Sequence, residues 1–343
     1  MIIINEDMNL HAFNTMRMNV SCNKWIEFTM PEDAPSAVAM VGNARYTVVG
    51  GGSNILFTGD YTGVILHPAI KVWEAVALGD GQVQVTLGAG NTLDLAIENL
   101  CKSGLWGMEN LSGIPGTVGG AAVQNAGAYG VEFGDVVKEV EAWDIRESRY
   151  VTMTRESLDY GYRHSIFKNP ENRSRYVILT VTVLLSTGGS PKLGYGPLRE
   201  LKDACALTPM DVRDKIMQIR DSKLPDVDAV GSAGSFFKNP VIDADAWKCF
   251  LAKADRLGFS ESEIPHFVLE DGKVKIPAAW LIEKSGWKGR CLGEAAVWHT
   301  QPLIIVNATG TAAPGDIIAV KDAVIADVLK IFGIALHPEV VII

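Results

Sequence analysis

Twenty residues, Leu111 to Gly130, constrain this chain more than any other stretch: Leu-Ser-Gly-Ile-Pro-Gly-Thr-Val-Gly-Gly-Ala-Ala-Val-Gln-Asn-Ala-Gly-Ala-Tyr-Gly. With six glycines, four alanines and few charges, the segment carries neither the alternation of a half-buried strand nor the apolar stripe of a helix. The pattern predicts a long, irregular, close-packed loop. Buried backbone must still satisfy its N–H and C=O groups. The loop therefore either packs on protein or receives a flat, polar-edged ring against its Ile-Pro and Val residues.

Two shorter glycine stretches bear on the same choice. Tyr46-Thr-Val-Val49 reads as a strand that stops at Gly50-Gly51-Gly52-Ser53-Asn54. Successive N–H groups unobstructed by a Cβ form an anion nest, and Ser53 and Asn54 add donors. A diphosphate is the obvious guest; a tight hairpin is the alternative. The segment does not match Gly-x-Gly-x-x-Gly opening a helix, and no Walker pattern occurs, which disfavours Rossmann and P-loop sites. Further on, Gly231-Ser-Ala-Gly-Ser235-Phe-Phe-Lys-Asn-Pro240 sets a serine between a flexible approach and a rigid exit. Its aromatic pair can anchor the loop, while Lys238 and Asn239 offer a cation and an amide beside a hydroxyl. A plain turn is the competing reading.

At 343 residues the chain exceeds one ordinary core, and two or three domains are expected. Ile55–Phe57 and Gly63–Leu66 follow Tyr46–Val49 at hairpin-like spacing. Gln82–Leu87 alternates as a half-buried strand. Leu93, Ile97 and Leu100 recur at helical spacing over Asn91–Lys102, with Asn91 as cap and Gly104 as stop. Strands are expected over Val136–Ile145 and Tyr176–Leu185. Thr208-Pro-Met-Asp211 opens a helix with stripe Val212, Ile216 and Ile219. A second long helix runs from Pro314 to Phe332, with Ile317, Val320, Val324, Val328 and Ile331 on one face and Gly333 ending it. Glu339–Ile343 closes the chain as a strand. The fold class is α+β.

A net charge of −9 argues against a nucleic-acid partner. Five cysteines, Cys22, Cys101, Cys205, Cys249 and Cys291, form no Cys-x-x-Cys pair. They read as reduced, mostly buried thiols of a cytoplasmic protein. The N-terminus lacks the pattern of a signal peptide. The greasiest run, Val177–Leu185, is too short to span a membrane. The six histidines lack metal-ligand spacing, so no metal is expected.

The segments Gly50–Asn54 and Leu111–Gly130 resemble the flavin-binding domain of the vanillyl-alcohol-oxidase-like (PCMH) superfamily. Adding Tyr160-Gly-Tyr-Arg-His-Ser-Ile-Phe-Lys168, Gly231–Pro240, Arg220 with Ser222-Lys-Leu-Pro225, Ala278-Ala-Trp-Leu-Ile282, Gly289–Asn307 and His337-Pro-Glu-Val340 narrows the match. Together they resemble the UDP-N-acetylenolpyruvoylglucosamine reductase (MurB) family, in order along nearly the whole chain. Leu193-Gly-Tyr-Gly196 resembles the tyrosine loop of its first subtype.

The resemblance implies a two-subdomain PCMH-type FAD domain at 1–188 (subdomains about 1–70 and 71–188) and a linker at 189–210 carrying the tyrosine loop. A C-terminal α+β substrate-binding domain would follow at 211–343, with a small insert at 247–276. It implies non-covalent FAD, NADPH as reductant, and an enolpyruvyl ether of a UDP-sugar that receives hydride through the flavin, in a cytoplasmic monomer without membrane or nucleic-acid partner. Gly50, Gly51, Gly52, Ser53 and Asn54 would hold the FAD diphosphate. Ser112, Ile114, Pro115, Gly116, Gly119, Gly120, Gln124, Asn125, Gly127, Ala128 and Tyr129 would cradle the ring. Arg163 would spread developing charge into the substrate carboxylate, Glu339 would contact the same region, and Ser235 would deliver the proton. Tyr162, Tyr195, Lys223, Asn239, Lys288 and Gln301 would bind substrate. His67-Pro68, a pair of the kind that carries covalent flavin in some relatives, is expected to be structural. One departure stands out: Val341 lies where the family often has arginine. Another flavin oxidoreductase of the superfamily, or a non-catalytic binder of FAD or a nucleotide sugar, are the alternatives.

Overall fold

Runs of β-branched residues between glycine turns become strands in the computed structural model, which describes every residue except Cys205. In chain order they are β1 (Ile2–Asn9), β2 (Ser21–Phe28), helix α1 (Ala34–Ala39), β3 (Tyr46–Val48), β4 (Ile55–Leu56), β5 (Tyr61–Pro68), β6 (Trp73–Gly79), β7 (Gln82–Gly88) and α2 (Leu93–Lys102). Then come α3 (Val118–Gln124), β8 (Gly127–Ala128), β9 (Val131–Glu132), β10 (Val137–Asp144), β11 (Arg149–Thr154), β12 (Tyr176–Ser186) and α4 (Pro209–Asp221). The remainder is β13 (Gly231–Ser235), β14 (Val241–Ile242), α5 (Ala244–Arg256), β15 (Phe267–Val268), β16 (Val274–Lys275), α6 (Ala278–Lys284), β17 (Cys291–Leu292), β18 (Ala295–Val297), β19 (Ile304–Asn307), α7 (Pro314–Phe332) and β20 (Val341–Ile342).

The chain divides into two units. The first comprises Met1–Asn9, Ser21–Gly52 and Tyr61–Ser222; the second comprises Leu10–Val20, Ser53–Asp60 and Lys223–Ile343. In the first unit one sheet has the order β1-β2-β5-β3, with β5 parallel to both β2 and β3. A second, antiparallel sheet has the order β11-β10-β12-β7-β6. Strand β12 is buried on both faces, which is why it reads as the greasiest run. Val177 and Leu179 join one core with Ile26, Phe28 and Leu66, whereas Ile178, Val181, Val183 and Leu185 join another with Leu87, Leu93 and Ile97. The parity switches because the pairing with β10 slips at Glu141/Ala142, leaving Leu179 as the extra residue of a bulge.

The second unit is built on the sheet β13-β19-β18-β17. Helix α7 contacts β17, β18 and β19 and buries Ile317, Val320, Val324 and Val328. Gly333 ends it in the left-handed conformation at φ 73°. The stretch expected as an insert contains most of α5 and two strands, β15 and β16, of the three-stranded sheet β14-β16-β15.

Several expectations need correcting. Ile55–Phe57 and Gly63–Leu66 form no hairpin: β4 pairs in parallel with β20, and β5 with β2 and β3. Leu111–Gly130 is not all loop, because Val118–Gln124 is helical with Val118, Ala121 and Ala122 buried. Helix α2 is capped at Thr92, since the Asn91 amide is spent on the Val72 and Gly88 carbonyls. Helix α4, expected to begin the C-terminal domain, belongs to the first unit, which runs on to Ser222. Of the four described thiols two are buried, Cys22 and Cys101, with burial pushing their pKa up to about 11 and about 12, whereas Cys249 and Cys291 are exposed. Cys205 lies outside the described residues.

Candidate active site

In the first unit the two glycine stretches of the sequence meet. A Cβ on Gly51 would lie 2.7 Å from the Gly116 Cα, and one on Gly50 would collide with the Thr117 hydroxyl. The Gly50–Gly52 turn therefore presses against the start of α3, an approach that only glycine permits. Thr117 is the N-cap of α3, its side chain accepting from Gly120 N. The next amides, of Val118 and Gly119, donate to the Asn91 and Ala89 carbonyls at 2.9 Å. The helix start is thereby satisfied by protein. Beyond it, Ile114, Pro115, Gly116, Gly120, Gly127 and Ala128 are half-buried. All are uncharged and most are small, and they make up the candidate cofactor wall.

Arg163 reaches this wall. Its Nη2 donates to the Gly127 carbonyl at 2.7 Å, and its guanidinium lies over the Tyr162 ring, 5.5 Å from the centroid. The Arg163 backbone is left-handed, φ 53°, a conformation costly for a long side chain and a recurrent mark of functional positions. Tyr129, also left-handed at φ 50°, packs edge-on against Tyr195 at 5.4 Å. Burial pushes the Tyr129 phenol pKa up, against a hydrogen bond from Arg220. Tyr162 and Tyr195 are exposed.

Three residues expected to face a ring make contacts within the first unit. Ser112 is fully buried and donates to the Glu109 carbonyl at 2.6 Å. Asn125 is buried; its amide donates to Glu132 and to the Gly161 carbonyl and accepts from Gly134 N. Gly119 is buried, and a Cβ there would lie 2.9 Å from the Ala89 Cβ. Buried polar groups take the nearest partners, and here those are protein. Gln124 is half-buried and accepts from Lys168 Nζ at 2.7 Å. His67 is structural: its Nδ1 lies 2.8 Å from the Val49 carbonyl, its ring packs on Trp25, and burial lowers its pKa.

In the second unit Ser235 ends β13 at an irregularity in its pairing with β19. Gly234 before it is left-handed, φ 69°. Phe236 and Phe237 are buried with ring centroids 5.4 Å apart. They anchor the segment as the sequence suggested and leave the Ser235 side chain exposed. The Glu339 amide donates to the Phe236 carbonyl at 2.8 Å, and Lys238 N donates to the His337 carbonyl at 3.0 Å. Ser235 and Glu339 thus sit on adjoining segments. Asn54 is tied in as well: its amide donates to the Glu339 carbonyl at 3.4 Å, and its own carbonyl accepts from Val341 N. Val341 itself pairs with Ile55 in the β20–β4 ladder.

The expected substrate ligands of this unit divide. The Thr300 hydroxyl donates to the Lys223 carbonyl at 2.6 Å, which draws exposed Lys223 toward the Gln301 turn before β19. Gln301 Oε1 accepts from Leu303 N at 3.4 Å. Asn239 Oδ1 accepts from Ala278 N at 2.9 Å, securing the start of α6. Exposed Lys288 pairs with Glu283 at 3.2 Å, the pattern of a solvated surface lysine. Sequence reasoning assigned no role to Asp94 or Arg213, or to Arg220 beyond its place in a motif. The seven-residue spacing of the two arginines on α4 was the available signal.

Two family models match: residues 26–154 fit an FAD binding domain, and residues 225–343 fit the UDP-N-acetylenolpyruvoylglucosamine reductase C-terminal domain. The chain is 41% identical over 340 residues to UDP-N-acetylenolpyruvoylglucosamine reductase of Bacteroides fragilis (strain YCH46), covering 98% of both chains. It is 38% identical over 340 residues to the protein of that name from Burkholderia pseudomallei (strain 668), covering 97% of this chain and 95% of the other. Among solved structures, the UDP-N-acetylenolpyruvylglucosamine reductase (MurB) of Thermus caldophilus superposes with a TM-score of 0.67 at 21% identity, covering 100% and 99% of the two chains. That last likeness concerns the fold.

Proposed function

The chain belongs to the UDP-N-acetylenolpyruvoylglucosamine reductase family, and on that premise we propose how its residues carry out the family's reaction. That reaction is the NADPH-dependent reduction of UDP-N-acetylglucosamine enolpyruvate to UDP-N-acetylmuramate, a step in peptidoglycan synthesis. The cofactor is FAD, which when bound supplies the redox chemistry between NADPH and the enolpyruvyl double bond.

The first unit fits FAD. The half-buried faces of Ile114, Pro115, Gly116, Gly120, Gly127, Ala128 and Tyr129 suit a flat ring. A Cβ on Gly120 would meet nothing closer than Thr117 Oγ1 at 3.5 Å, so that face is open. Because the amides opening α3 are spent on protein, the anion nest is assigned to Gly50–Gly52, with Ser53 and Asn54 following in the chain. Ser112, Gly119 and Asn125 keep the wall in shape.

Arg163 supplies the cation that spreads charge into the substrate carboxylate as the neighbouring carbon becomes carbanionic; a preoriented guanidinium stabilises such charge without reorganising. Its bond to the Gly127 carbonyl supports this reading. Ser235 donates the proton to that carbon. A hydroxyl is a weak acid, and it serves here because the carbon is strongly basic and the geometry is fixed. Glu339 assists in the same region through the hydrogen bonds of its carboxyl group. Lys223 and Gln301, with Tyr162 and Tyr195, hold the nucleotide sugar.

We place the enzyme in the cytoplasm as a monomer. The described cysteines are free, as suits a reducing compartment. Among the described residues no helix is long and apolar enough to cross a membrane.

The observation that carries the assignment of roles is the Glu339 N–H to Phe236 carbonyl bond, which joins the acid to the segment bearing an exposed serine. Ser235→Ala tests it. The variant should reduce its flavin with NADPH at the native rate and fail to form product. Equal loss in both half-reactions would refute the serine's role.

A further inference from the structure

We propose that Asp94 and Arg213 are positioning residues for the cofactor wall, Asp94 gripping the Gly113 amide and Arg213 locking Asp94, so that α4 sets where Ile114–Thr117 lies. The inference rests on the reading of that wall as the FAD site.

The geometry is a chain of short polar contacts ending on one loop residue. Gly113 N donates to Asp94 Oδ1 at 2.5 Å, and the Gly113 carbonyl accepts from Arg220 Nη2 at 2.6 Å. Both polar groups of Gly113 are therefore held. Asp94 lies in the first turn of α2 and is itself clamped by a two-pronged guanidinium: Arg213 Nη1 to Oδ1 at 2.5 Å and Nη2 to Oδ2 at 2.9 Å. Arg213 is buried, and its Nη2 also lies 3.8 Å from Glu98 Oε2. Two parallel charge-assisted bonds fix direction as well as distance. Gly113 is left-handed at φ 74°, and a Cβ there would strike the Arg220 side chain.

Arg213 and Arg220 lie two turns apart on α4 and share a face, so one helix bears on the loop from two sides. Arg220 also hydrogen-bonds the Tyr129 side chain, which ties the far end of the glycine-rich segment to the same helix. Burial works to raise the Asp94 pKa. The Arg213 hydrogen bond, the Gly113 amide and nearby guanidinium charge outweigh it and keep the carboxyl below its ordinary value. The residues immediately after Gly113 are the half-buried ones assigned to the ring. The clamp therefore acts on the wall's position more than on the core.

The test compares wild type, Asp94→Ala, Asp94→Asn and Arg213→Lys for FAD affinity, the visible spectrum of bound FAD, and thermal unfolding of the apoprotein. Asp94→Ala removes the acceptor for Gly113. Asp94→Asn keeps an acceptor but loses the charge that orders Arg213. Asp94→Ala should weaken FAD binding by about tenfold or more and shift the flavin spectrum. Asp94→Asn should fall between it and wild type, and Arg213→Lys, which keeps the charge but loses the fork, should lose less affinity than Asp94→Ala. If Asp94→Ala does not fold, Asp94→Asn decides alone. Native affinity and a native spectrum in the folded variants would overturn the proposal, whatever their melting temperatures. Wild type failing to bind FAD would instead overturn the reading of the wall.

Discussion

Replacing Gly51 with alanine perturbs one contact and little else. Its φ lies outside the left-handed region, so the backbone tolerates alanine; the obstacle is the Gly116 Cα, 2.7 Å from where the new Cβ would lie. Carbon atoms rest at about 3.5–4.0 Å, so the turn or the start of α3 must move by about 1 Å. The neighbour is backbone, not the tip of a flexible side chain. Overpacking of this kind costs about 1–3 kcal/mol, or about 2–12 °C of melting temperature for a unit of this size. Relief comes from pushing the Gly50–Gly52 turn off α3, which spreads the proposed nest, and FAD affinity should fall by about tenfold. Gly188→Ala is the control in the same unit: nothing lies within 4 Å of its Cβ position, and the substitution should be neutral or slightly stabilising. Fluorescence titration with FAD and scanning calorimetry of both variants provide the assay. Gly51→Ala behaving like Gly188→Ala in melting and in affinity would refute the close-packed-turn argument.

Three further outcomes are expected. Arg163→Lys keeps a charge but loses the fork, and should slow flavin reoxidation by the enolpyruvyl substrate about 10²–10³-fold while sparing reduction by NADPH; stopped-flow traces showing equal slowing of both steps would contradict the charge-spreading role. Asp144 is buried and accepts from Nε and Nη2 of Arg175 and from the amides of Arg146 and Glu147; the arginine itself is partly exposed, so Asp144→Ala should destabilise the first unit by about 1–3 kcal/mol in denaturant titrations. The Arg175 hydrogen bond keeps the Asp144 pKa below its ordinary value. Its contribution is therefore complete above about pH 4, the unfolded value, and disappears as pH falls through the folded one. The stability gap between wild type and Asp144→Ala should narrow in that acid window and stay constant toward neutrality; a gap that widened in acid would reverse the sign of the argument.

Local chemistry made some elements legible. Helix α4 was readable because Thr208 and Asp211 form a capping box and Val212, Ile216 and Ile219 keep helical spacing. Helix α7 was readable from its stripe and the glycine that ends it. Helix α3 escaped because Gly119 and Gly120 lower helical propensity, and the reason for Gly119, close approach to Ala89, exists only in three dimensions. The β4–β20 pairing joins segments from opposite ends of the chain, which no hairpin spacing can report. In the candidate site, the segments that carry Arg163, Ser235 and Glu339 stand out through their motifs. The turning inward of Ser112 and Asn125 does not, because a polar residue in a glycine-rich segment looks the same whether it meets a ligand or a carbonyl of its own unit.

An anaerobic single turnover tests the central claim most directly. The purified protein, loaded with FAD, is reduced with NADPH, separated from NADP, and mixed with UDP-N-acetylglucosamine enolpyruvate while the flavin absorbance is followed. Bleaching in the first step, recovery in the second, and one UDP-N-acetylmuramate formed per flavin reoxidised are the predicted results. Flavin that bleaches with NADPH yet stays reduced in the presence of the enolpyruvyl nucleotide sugar would contradict the account.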